Sequence, residues 1–100
     1  MTIRAPFQPK RGANQVLTPA AASASVSIDP VAKSVRLVNS GSTNICHVRI
    51  GAGSQTATTT DLPLLPGQSI IVSKGDGEDT LAHISASGTT LHVQTGEGGI

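Results

Sequence analysis

The sequence is almost without aromatic residues: one phenylalanine, Phe7, and no tyrosine or tryptophan in 100 residues. Aromatic side chains contribute the largest single areas to a core, so this one has to be assembled from Val, Ile, Leu and Ala. A chain this short buries roughly 60 to 70% of its unfolded surface, enough for one core and not for two. The expectation is a single domain of marginal stability, completed by an oligomer or a partner surface. One phenylalanine also makes no stacking platform for single-stranded nucleic acid.

Cysteine is nearly absent too. Cys46 alone excludes an internal disulfide and any zinc site made only of cysteines, and it fits a reducing compartment. An excess of either charge is missing: seven Lys and Arg against six Asp and Glu give a net charge of +1. Such a chain has no field to draw nucleic acid or an anionic membrane, and neither is expected as a partner. No apolar run approaches the roughly 20 residues that span a bilayer. The opening "MTIRAPFQPKRG" lacks the apolar centre of a secretion signal. Helical periodicity is absent throughout.

What is present is strand and turn punctuation. Residues 1–22 read as an extended arm: Pro6, Pro9 and Pro19 interrupt helix and ladder alike, and Arg4, Lys10 and Arg11 add charge. Such an arm is pinned only by lying along a neighbour. Phe7 is its natural anchor. A β-domain follows over residues 23–96, and "GEGGI" reads as a flexible tail over residues 97–100. "SVRLVN" and "CHVRIG" each alternate apolar and polar residues, and the "NSGSTN" between them predicts a hairpin. Arg36, His47 and Arg49 then share one outward face, while Cys46, Val48 and Ile50 face inward. A threonine-rich strand is expected over residues 55–60. The prolines of "DLPLLPG" confine that piece to a sheet edge or to a place outside the sheet, and "QSIIVS" suits a strand covered on both faces or at a packed interface. "KGDGED" reads as a hairpin tip, and "DTLAHIS" and "TLHVQT" follow as consecutive strands. About seven short strands predict an all-β fold, a small β-sandwich or jelly-roll-like barrel.

The candidate chemistry is thin. His83 and His92 face one another only if their strands form a hairpin, and His47 sits beside Arg49. No pair has the spacing and carboxylate support of a zinc site, which leaves the three histidines as surface or interface residues. "KGDGED" lacks the ligand spacing of a calcium loop. Cys46 and His47 are adjacent on a strand and point to opposite faces, so they do not form a nucleophile and base. No phosphate-binding loop precedes a helix. These readings exclude cofactors and argue against an enzyme.

The stretches "VRIG", "ATTTDLPLLPGQ", "DTLAHIS" and "GTTLHVQTGEG" resemble a family of small virion-associated proteins of tailed bacteriophages, over roughly the last two thirds of the chain. The resemblance implies a β-rich protein of the phage head, most specifically a decoration or cement protein. It implies the major capsid protein as partner, a homo-oligomer (dimer or trimer), and a place in the virion after assembly in the bacterial cytoplasm. On that reading Arg4, Phe7, Lys10 and Arg11 of the arm contact the capsid. The alternatives are a head-fibre base, tail or receptor-binding module, and a sugar-binding or cupin-like domain. The last would want exposed aromatics or clustered histidines.

Overall fold

The computed structural model describes residues 6–10, 12 and 14–99. Nine strands form, β1 (Gln8–Pro9), β2 (Gln15–Leu17), β3 (Ala24–Ser27), β4 (Ser34–Asn39), β5 (Cys46–Gly51), β6 (Leu62–Leu64), β7 (Ser69–Ser73), β8 (Thr80–Ile84) and β9 (Leu91–Glu97). They make two antiparallel sheets. Sheet A runs β2-β9-β4-β7, with β1 pairing further along β9; sheet B runs β3-β8-β5-β6. From β2 onward only β5 and β6 are consecutive neighbours, and every other connection crosses between the sheets. Eight strands in this order are a jelly-roll sandwich, the architecture expected from composition.

The expected hairpins do not form. The β4 and β5 strands lie in opposite sheets, and so do β8 and β9. Alternation along a strand records which residues face inward, but nothing in it names the partner strand. The inward rows nonetheless follow the alternation. Val35, Leu37, Leu91 and Val93 of sheet A meet Cys46, Val48, Leu64 and Leu81 of sheet B, all essentially inaccessible. "KGDGED" is likewise a crossing from β7 to β8. Its Lys74 is buried, with Nζ donating to the carbonyls of Pro30 (3.1 Å) and Gly75 (3.2 Å).

The proline corner behaves as its chemistry requires. β6 is an edge strand, and Pro63 sits where a missing donor does no harm. Leu65-Pro66-Gly67-Gln68 closes a turn with Gln68 N donating to Leu65 O (3.0 Å). Gly67 has φ 78°, the value a type II turn demands after proline. The expected strand over residues 55–60 is absent. β7 is not covered on both faces either: it is the edge of sheet A, and Ile70, Ile71 and Val72 are half-buried.

A polar residue holds the centre. Asn39, at the end of β4, is fully buried on the inward face. Its Nδ2 donates to Asn44 O (2.9 Å) and Leu64 O (3.0 Å), while its Oδ1 accepts from Gly41 N (3.1 Å) and Thr89 Oγ1 (2.7 Å). Two carbonyls on one side and two donors on the other fix the orientation of the amide. Asn39→Asp keeps the shape but loses both donors against carbonyl oxygens. It is expected to lower the unfolding free energy by about 3 kcal/mol in urea titration.

Candidate docking surface

The arm is not loose. Gln8 and Pro9 pair with Glu97 and Gly96, Lys10 N donates to Thr95 O (2.8 Å), and Gln15 to Leu17 pair with Val93 to Leu91. Leu17 packs against the core, and Pro19 is buried. The arm thus completes the open edge of β9, a strand whose inward side chains would otherwise meet water at the rim. Lys10 pairs with Asp29 of the same chain (3.3 Å), and Phe7 is half-buried. A β-carbon on Gly99 would come within 2.8 Å of Phe7 Cβ and 2.9 Å of Ile71 Cδ1, so the aromatic lies on the protein's own carboxyl end. Glu97 belongs to β9 and accepts from Lys33 N (2.6 Å), so the tail begins docked. Arg4 and Arg11 lie outside the described residues.

Arg36, His47 and Arg49 do not share a face. Arg36 points outward from sheet A, and His47 and Arg49 point outward from sheet B on the opposite side, because β4 and β5 belong to different sheets. The outer side of sheet B is partly covered, with Ser25, Arg49 and Pro63 exposed there. The segment after β5 lies across it: Ala57 N donates to Ser23 Oγ beside β3 (2.9 Å), and Arg49 Nε bonds Asp61 Oδ1 (3.0 Å). Ala82 faces that side and is nevertheless inaccessible. The Thr58 N–H, and then Arg49, hold the Asp61 carboxyl below its usual range. The threonines thus form a strap, and Arg49 fastens it.

The outer side of sheet A is covered at Ile71 by the carboxyl end near Gly99, and Val16 and Ser69 are exposed there. Register sets Val16, His92, Val38 and Ser69 in one row across four strands, and Gln94, Arg36 and Ile71 in the next. Arg36 Nη1 donates to Gln94 Oε1 (3.1 Å). Asn14, Arg36, Val38, Ser40, His92 and Gln94 line a shallow concavity of about 460 Å³. Val16 is 59% exposed beside it.

His83 and His92 are kept apart by the sheets that hold them. His92 lies outside on sheet A. His83, opposite Val48, points into the sandwich and is 5% exposed, contrary to the expectation of a surface histidine. Its parity with Leu81 was the signal for this. Among the described residues its buried Nδ1 has no hydrogen-bond partner, and no three His, Cys, Asp or Glu gather as a ligand set. Burial pushes the His83 pKa down, and it pushes the Cys46 thiol up to about 11, which leaves that sulfur inert at neutral pH.

His83 is neutral in the fold, whereas the unfolded chain takes up a proton near pH 6.5, so stability present above that pH is lost as pH falls below it. Urea midpoints should fall between pH 7 and 5, and His83→Leu should flatten that slope. On the arm, a β-carbon at Gly96 would clash with the Gln8 carbonyl oxygen and come within 2.9 Å of Pro9 Cα. Gly96→Ala should raise hydrogen exchange at the Lys10 amide by at least about tenfold while β4 stays protected.

No family model matches the sequence, and neither does any curated protein.

Proposed function

We propose that the protein is a structural component of a tailed-phage virion, a decoration or cement protein that docks on the major capsid protein and stabilises the head lattice. The observation that carries the reading is the outer face of sheet A. There Val16 and Val38 lie among Arg36, His92 and Gln94 around a shallow concavity. Apolar groups flanking one arginine are the composition of a protein-binding surface. The resemblance of residues 46–98 to virion-associated proteins supports the same reading. Every histidine stands alone, and the sandwich interior is filled by aliphatic side chains around Asn39 and His83, which favours a binding body over a cupin-like site. The arm serves the body by closing its edge, and the docking contacts fall to the face of sheet A.

The test is co-sedimentation of the purified protein with capsids that lack it. Saturable binding at a simple ratio to the major capsid protein is expected, and a folded sample that stays in the supernatant refutes the reading. Arg36→Glu should weaken binding by about tenfold or more. Thr59→Glu, on the strapped side, should leave it unchanged.

A further inference from the structure

Four sheet edges flank the sandwich, and three are interrupted or partly capped. Pro63 removes a donor from β6. The arm edge carries Pro9, and its register jumps between Pro9 opposite Gly96 and Gln15 opposite Val93. On β3, Gln15 Nε2 donates to the outward carbonyl of Ser27 (2.8 Å). β7 has none of these devices: no proline, no lysine, no bulge within Ser69–Ser73.

The direction of its peptide groups follows from the ladder. Asn39 N donates to Gln68 O (3.0 Å) and Lys74 N to Lys33 O (2.9 Å), both in the register that pairs Leu37 with Ile70 and Val35 with Val72. Bonded pairs alternate, so Ile70 and Val72 bond to β4. The N–H and C=O groups of Ser69, Ile71 and Ser73 point away from the sheet, and among the described residues none has a partner.

We propose that this edge pairs with a second copy of the same chain, β7 against β7 in antiparallel, about a two-fold axis at Ile71. The sequence "SIIVS" is nearly palindromic. Centred on Ile71, it sets Ile71 against its own copy and Ser69 against Ser73, the positions whose peptide groups are open. All of them are then satisfied. Ile70 lies against Val72 of the other copy, covering the two half-buried aliphatics that the edge leaves at the rim of the core. Beneath β7, the short turn Leu65–Gln68 brings β6 to the same side, where Leu62 (39%) and Leu65 (56%) are exposed. Residues 62–73 carry no charge, so two copies meet without repulsion. An isologous contact of this kind closes at the dimer and leaves no edge to propagate.

The inference stands apart from the capsid reading and is tested without capsids. Sedimentation equilibrium of the full chain, from about 1 µM to 1 mM, is expected to show monomer converting to dimer and nothing larger. Ile71→Pro removes an N–H that the β4 ladder does not use, so it should keep the far-ultraviolet circular dichroism and weaken association by at least about a hundredfold. Should the proline variant not fold, Ile71→Lys, which sets two ammonium groups side by side on the axis, gives the same reading. A wild-type chain monomeric at the highest concentration, a trimer, or a folded Ile71→Lys chain that still dimerises would overturn the proposal.

Discussion

The side-chain amide of Asn39 is where the crossings of this sandwich meet. Its four hydrogen bonds go to Gly41 and Asn44 on the way from β4 to β5, to Leu64 at the end of β6 where the chain leaves for β7, and to Thr89 on the way from β8 to β9. Its backbone joins in, with Asn39 N donating to Gln68 O and Gly67 N donating to Asn39 O. A buried amide that loses a partner gives up the full desolvation penalty of the orphaned group, whereas a leucine there could slide. Three separate crossings are therefore held in one relative position by a residue that adds nothing to the apolar core. In a core without large aromatics, that polar knot supplies specificity that aliphatic packing alone does not.

From this knot the rest of the architecture follows. Strands that alternate between sheets make most contacts distant in sequence, the arrangement that folds slowly and rewards a strong registry point. The alternation also separates outward residues of successive strands onto opposite sides. The threonine strap, fastened through Arg49 and Asp61, crosses one of those sides. The arm and carboxyl end finish the rim of the open sheet, with Phe7 lying against Gly99. The outer face of sheet A and the edge of β7 lie next to one another. Pairing at β7 would make the outer faces of sheet A continuous across a dimer.

Much of this was readable from residues. The absence of helical periodicity, the short alternating strands and the glycine turns gave the all-β sandwich. Pro63 and Pro66 placed their segment at an edge, and alternation put Cys46 with Val48 on the buried face. The same alternation, read further, assigns Asn39 to the row of Leu37 and His83 to the row of Leu81. Those two polar residues are buried because their parity is that of the core.

Parity is a local property of the backbone: successive side chains point to opposite faces whatever the fold, so composition and alternation determine strands, faces and turns. Pairing is decided elsewhere. Whether β5 lies beside β4 or beside β8 depends on which arrangement buries both inward rows together, a comparison among surfaces far apart in the chain. That is why Arg36 and Arg49, thirteen residues apart and alike in pattern, end on opposite sides of the molecule. It is also why an arm that composition describes as loose becomes an edge strand: only the assembled sheet creates the open rim of β9 that it fills.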